Sequence, residues 1–500
     1  MIKRLDLSDR ARHQARWPDG VPRDGQLFTR RRPLRQMVVM IDAELDLVTA
    51  EAQRSPDDLD QVGLLSGLLT NGLFRRYRFA DGGPPPTSQP EIRAGSVEVH
   101  PGWVVRGSDY PDGVYGVVFT DGPNSYSQGG VIGNVPSIAA GDLTTDVYGD
   151  LSPESASARR QADALAAQVA IQAVGADIYV TEREFLHRRG GYVTSGVTVC
   201  SPAEALPLVS LYLRIQGDFR VRSDHTFNRG LFYWVGTREI LPAAWRWVAA
   251  CLQHSTHSGD ESIFLLAGSL LQRIDRALET RDHLHATLNR AQDNDLQDDA
   301  LAHLDVILIS FMAAFDVAAR VAHRVLQLGG DEYRAAWQNR RRRGWWVRVQ
   351  AAEPALAAVV AAGSDGDHIL TIVRLMRNSV HGVALQSVGY RRRIGPQETL
   401  VGLPERDQST LLVAMQAVGG QDSWGVRPTI PGLTHVDPGV IVERLFETVV
   451  PLLDQLIKLT PVERLAGVAL TPEQLAPPEG VNGRWFQPWM RKSIRWQLGL

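Results

Sequence analysis

Two arginines, an asparagine and a histidine stand at helical spacing in HILTIVRLMRNSVH, and no other segment of the chain is better suited to chemistry. At about 100° per residue, with Arg374 taken as zero, Arg377, Asn378 and His381 fall within roughly 60° on either side of it. Ile369, Ile372, Val373, Leu375, Met376 and Val380 gather on the opposite arc, so one face reads as core and the other as a compact cationic set. His381 stands just before Gly382, where the end of the helix dipole favours the protonated imidazole. Such a set suits phosphodiester cleavage. A guanidinium grips a non-bridging oxygen with two parallel hydrogen bonds and offsets the charge growing on a pentacoordinate phosphorus. Imidazole can protonate the leaving oxygen or activate a 2′-hydroxyl near neutral pH, and no metal is needed. The plainer reading is an amphipathic helix with a solvated charged side.

The elements that must position this face are helical. From Pro242 onward strand signals nearly vanish, and LPAAWRWVAACLQ, the segment from Glu261 to Ala291 and the segment from Asp298 to Leu328 carry long helical patterns. Gly329 and Gly330 stop the last of these. Helices around 367–381 and 438–459 complete a bundle, the second with Asp437 as cap and Pro438 in its first turn.

The helix SFMAAFDVAARVAHRVLQL, the RNSVHG stretch, the WGV turn at Trp424 and the closing helix VIVERLFETVVPLLDQLI together resemble a HEPN domain. That resemblance implies an up-and-down helical bundle, often dimeric, with an arginine and a histidine about four to six residues apart. It also implies a metal-independent ribonuclease of the toxin–antitoxin or antiphage kind, with no cofactor at the Arg/His site. RNA, a second copy of the chain, and an antitoxin or other regulatory protein are the partners implied. Three residues separate Arg377 from His381 and six separate Arg374 from it, so either arginine, or both, could serve. The family also has non-catalytic members, and a dimerisation or sensor module whose N-terminal domain binds a partner or RNA is the alternative.

The first 225 residues alternate helix and strand, which predicts an α/β or α+β domain. Ser152 and Pro153 open a helix that ends at Gly175, the strand Ala176–Thr181 follows, and Ser201 with Pro202 opens the next helix. MVVMIDAEL reads equally as strand or helix. ADALAAQVAIQAVGADIYVTEREFL resembles the helix-and-strand segment of PIN-like nucleases, which hold divalent metal with a carboxylate cluster. The resemblance implies Asp163, Asp177, Asp42 and Glu182 as ligands of Mg2+ or Mn2+. The chain departs from it where TERE places Arg183 between two glutamates, and surface acids on an α/β fold are the alternative.

Arg341, Arg342 and Arg343 run into Trp345, a mixture that can hold a phosphate backbone while stacking bases. A solvated loop whose tryptophans pack on the bundle reads equally well. Cys251, His254 and His257 share a helical face but lack a fourth ligand for zinc. The 53 basic and 56 acidic residues leave a net charge of −3, so any site for a polyanion must be local. Two cysteines make no disulfide framework, and Met1 to Trp17 has no secretory h-region, which predicts a cytoplasmic chain outside the membrane. No P-loop, GxGxxG, GxSxG or HExxH is present. The expected organisation is an α/β domain over 1–225, a helical connector over 226–295, an all-α HEPN-like bundle over 296–465 and an aromatic, basic tail over 466–500, with the acidic run Asp293–Asp299 as the seam before the bundle.

Overall fold

The computed structural model describes residues 2–5, 36–45, 59–80, 102–105, 147–187, 196–290, 294–337, 343–378, 384–391, 397–430, 433–475 and 487–500. In the N-terminal half, β1 (Met37–Asp42), α1 (Gln61–Leu68), β2 (Phe74–Ala80), β3 (Gly102–Val105), α2 (Pro153–Gln168), β4 (Ile178–Val180), α3 (Glu184–His187), β5 (Thr198–Cys200) and α4 (Pro202–Ile215) follow one another. The five strands are parallel, in the order β3-β2-β1-β4-β5. MVVMID is therefore the central strand, and its nearly unbroken apolar run reflects burial on both faces. Met37, Val39 and Ile41 face α1 and α4, whereas Met40 with Tyr77, Phe79 and Tyr179 faces α2.

The local signals expected from sequence are in place. Ser152 accepts a hydrogen bond from the Ser155 N–H and Pro153 fills the first turn of α2, which continues as a π-helical stretch, Val169–Val174, and stops at Gly175 with φ 66°. Ser201 and Glu204 form a reciprocal capping box on α4.

Beyond the hairpin β6 (Phe219–Arg222) and β7 (His225–Phe227) come α5 (Arg229–Ile240), α6 (Ala244–Ser258), α7 (Ser262–Leu288) and α8 (Asn294–Val325). Within the acidic run, Asp295, Asp298 and Asp299 belong to the opening turns of α8, where the helix dipole favours them, and α7 and α8 pack against each other. α8 is long and apolar enough to cross a bilayer, but 56% of its most apolar window is buried against neighbouring elements.

Next come α9 (Arg343–Ala352), α10 (Asp365–Asn378), β8 (Ser387–Arg391), β9 (Gln397–Gly402), α11 (Gln408–Ala417), β10 (Val426–Ile430), β11 (Leu433–Val436), α12 (Pro438–Leu459) and α13 (Pro488–Leu498). The C-terminal part is mostly helical, but it is not all-α. An antiparallel sheet in the order β10-β11-β9-β8 lies between α10 and α12 in the chain. Its strands are four to six residues long, too short to display period-two patterning against the surrounding helices.

One apolar core runs from Ile2 to Leu498 and includes both faces of the expected boundaries near 225 and 295. The tail helix α13 docks on α1, α4, α5 and β6, all in the N-terminal half or the connector. Leu498 comes so close to Gly236 that a Cβ there would lie 2.7 Å from its Cδ1.

Two consecutive residues of α7 organise this core. Arg281 binds Glu443 of α12 through Nε and Nη2 at 2.7 and 2.6 Å, and His285 reaches the same carboxylate at 2.5 Å. Asp282 receives Arg214 of α4 at 2.6 and 2.9 Å and the Tyr233 hydroxyl at 2.7 Å. The two arginines then donate to the Gln497 and Leu498 carbonyls, which end α13 without intrahelical partners.

Burial alone would raise the Glu443 and Asp282 carboxyls, but Arg281 with His285, and Arg214 with Tyr233, more than reverse this and hold both below the ordinary range. Depressed pKa values add stability above about pH 4 that is lost as the pH falls. Unfolding free energy should therefore decrease from pH 5 towards pH 2, roughly the span over which native and unfolded carboxylates differ in protonation. Glu443→Gln should flatten part of that slope and cost about 3–5 kcal/mol at neutral pH by leaving Arg281 without its countercharge. Urea titrations at both ends of the range test this; a variant as stable as the parent would show that the pair is dispensable.

Candidate functional site

The apolar arc of α10 is buried as its periodicity requires: Ile369, Leu370, Ile372, Val373, Leu375 and Met376 pack towards α8, α11 and α12. The opposite face carries Arg374 and Arg377, both half-buried, and the exposed Asn378. His381 lies outside the described residues. The Nε atoms of Arg374 and Arg377 are enclosed yet lack a hydrogen-bond partner, and among the described residues neither guanidinium forms an ion pair. Arg160, Arg320 and Arg444, which also have an enclosed Nε, are anchored through their Nη atoms to a carbonyl or carboxylate, whereas Arg273 of α7 is a further unanchored one, standing singly. Two unanchored guanidinium groups thus stand three residues apart on one helix face, the spacing at which helical side chains are neighbours.

Within the arginine–tryptophan cluster, Trp345 follows the packing alternative and does not present its ring for stacking. Arg341 and Arg342, and the side chain of Arg343, lie outside the described residues. Trp345 is 5% exposed; its Nε1–H donates to His323 Nδ1 at 3.1 Å, and its ring meets Trp337 edge-on with centroids 5.0 Å apart. It is a core residue, because α9 turns its Trp345–Val349 side inward. Accepting that hydrogen bond requires the unprotonated Nδ1, in keeping with the lowering of the His323 pKa by burial. Cys251 is likewise buried, its thiol pushed up to about 12, while His254 bonds the Ala466 carbonyl at 2.8 Å, so these two turn away from a common centre.

At the carboxyl edge of the parallel sheet, where such folds bind ligands, two of the four carboxylates meet. Asp42 ends β1 and Asp163 projects from α2; between them lies Arg183, with Nε 3.3 Å from Asp42 and Nη1 3.1 Å from Asp163. Asp42 also accepts the hydroxyls of Tyr179 at 2.7 Å and Thr181 at 2.6 Å, and Asp163 accepts that of Tyr148 at 2.5 Å. Tyr148 makes its contact from a left-handed backbone, φ 67°, a conformation that costs energy for a bulky side chain. Burial raises the Asp163 pKa, only partly opposed by Tyr148 and Arg183.

Asp177 does not join them. It lies beside Val38 at the opposite edge, accepting the Val38 N–H at 2.9 Å, and so brackets β1 to the start of β4. Glu182 points to solvent. Arg183, Tyr148, Tyr179 and Thr181 were not nominated by the sequence, although Arg183 stood visible in TERE as the departure from a metal-binding pattern.

Enclosing a guanidinium nitrogen without an acceptor is costly, so Arg374→Met and Arg377→Met should leave the unfolding free energy within about 1 kcal/mol of the parent or raise it. Trp345→Ala should lower it by about 3–5 kcal/mol, as expected for truncating a buried aromatic. Equilibrium denaturation compares the three; large losses in both methionine variants would mean the arginines are structural.

No family model, no curated protein and no solved structure matches the chain.

Proposed function

We propose that the chain is a metal-independent endoribonuclease of toxin or antiphage type, with a HEPN-like helical part whose working surface is the polar face of α10. The observation that carries this reading is the pair Arg374 and Arg377, held one turn apart without any described countercharge. A phosphodiester would supply that charge. The two guanidinium groups grip its non-bridging oxygens and stabilise the phosphorane, and Asn378 orients the same group. His381 is the proton carrier. The 2′-hydroxyl gives its proton to water as its oxygen bonds to phosphorus, the bond to the 5′-oxygen breaks, and that 5′-oxygen takes its proton from the imidazolium. A homodimer would bring two such faces to one cleft, and a cytoplasmic antitoxin or regulatory partner would restrain them.

The runner-up, a HEPN-type dimerisation or sensor protein without catalysis, draws on the N-terminal half, where Arg183 engages two of the four nominated carboxylates. Such a domain would bind a partner rather than cleave.

Purified protein incubated with total RNA separates the two. His381→Ala should reduce cleavage about 10²–10⁴-fold while leaving binding in place, Arg377→Ala should reduce cleavage by a similar factor and weaken binding as well, and chelation with EDTA should have no effect. Equal RNA decay with wild type and His381→Ala would end the nuclease reading, as would activity that disappears with EDTA.

A further inference from the structure

The carboxyl edge of the parallel sheet brings two buried carboxylates from distant parts of the chain to a single cationic group. Each carboxylate has a tyrosine hydroxyl on the oxygen that Arg183 does not touch, while Thr181 shares the Asp42 oxygen that does meet Arg183. Tyr179 and Thr181 fix Asp42 through their hydroxyls, and Tyr148 fixes Asp163. That is how outer-shell donors orient the ligands of a metal ion. The inner oxygens of both acids converge on Arg183, whose side chain is only 10% exposed. Arg159 adds a second positive charge 3.6 Å from Asp163, from a side chain that is 53% exposed. Two carboxylates are thus met by two guanidinium groups, the charge one divalent ion would bring. The Phe79 ring lies 5.6 Å from the Arg183 guanidinium, a face that suits an organic cation and cannot ligate a metal.

We propose that this crevice is a cation cradle whose occupant is the chain's own Arg183, so that the Asp42/Asp163 pair works without a metal ion and takes up a divalent cation only when the guanidinium is removed. A divalent ligand set does not fit the native arrangement, because Arg183 lies where the ion would have to lie. The guanidinium ties α2 to the ends of β1 and β4, and so performs the fastening that an ion would otherwise perform.

The test uses the full-length protein with Mn2+ and Tb3+ as probes. Tb3+ held by Asp42 and Asp163 would lie beside the Tyr148 and Tyr179 phenols, which can sensitise its emission. Wild type should show no Mn2+-dependent change in melting temperature and no Tb3+ emission beyond that of Asp42→Asn/Asp163→Asn. Arg183→Ala should melt lower than wild type, regain several degrees with millimolar Mn2+ but not with NaCl of equal ionic strength, and gain Tb3+ emission; adding Asp42→Asn and Asp163→Asn should abolish both gains. A folded Arg183→Ala that responds to neither ion would overturn the proposal, leaving an ordinary ion pair. So would a wild-type response that depends on the two aspartates, since the metal would then be the native occupant. Should Arg183→Ala be insoluble, Arg183→Gln takes its place, and insolubility of both with and without Mn2+ during expression overturns it as well.

Discussion

Arg281 and Asp282 are neighbours on α7 and point to different halves of the molecule, one to Glu443 of α12 and the other to Arg214 of α4. Because the two side chains leave the helix about 100° apart, satisfying both pairs fixes the rotation of α7 between its neighbours. Removing either partner would strand a charge in the core, a penalty far larger than the net worth of the pair. Apolar packing alone tolerates many sliding arrangements of long helices, whereas these bidentate contacts admit one. The same arginines reach the last carbonyls of α13, so the end of the chain is fastened to its centre. That explains how the larger of the two apolar clusters extends from the N-terminal strands to the final helix, while the smaller one lies between the parallel sheet and α2.

How much of this was legible depended on whether the determining contacts were local. The cap and first-turn pair at Ser152 and Pro153, the capping box from Ser201 to Glu204, and Asp437 ahead of Pro438 are settled within a few residues, and each marks a helix start that the fold uses. MVVMID was ambiguous for the opposite reason. A strand buried on both faces loses its alternation, and only pairing with β2 and β4 decides its state. The second sheet was hidden because β8 to β11 are short, and pairings such as Val401 with Val436 join strands far apart in sequence.

The candidate sites divide along the same line. The cationic face of α10 follows from helix periodicity, so its two arginines could be placed on one side before any fold was known. The edge crevice joins Asp42, Asp163 and Arg183, which only the parallel topology brings together. Spacing in sequence selected Asp177 as readily as Asp163, yet a strand separates the two ends of a sheet, and Asp177 stands at the other one. Of the two readings open for Trp345, packing on the bundle is the one the fold uses, and composition could not choose because an Arg/Trp run on a helix sends some rings outward and some to the core.

The two clusters also differ in how completely they are neutralised, and this contrast favours α10 as the working site. Arg183 has a carboxylate on each side, and Arg214 and Arg281 each bind a carboxylate in two places. A guanidinium so engaged has already spent its best hydrogen bonds and would have to break them to receive an anion. Arg374 and Arg377 have no such commitment among the described residues, while their enclosure limits competition from water. An incoming phosphate would therefore meet groups that are desolvated in part and electrically unopposed, the condition under which a charge-assisted hydrogen bond is strongest. Arg183, Arg214 and Arg281 hold the fold together, whereas this pair, on the last turns of a helix anchored by six apolar side chains, stands without a countercharge among the described residues; Arg273 of α7 is also unanchored but stands singly.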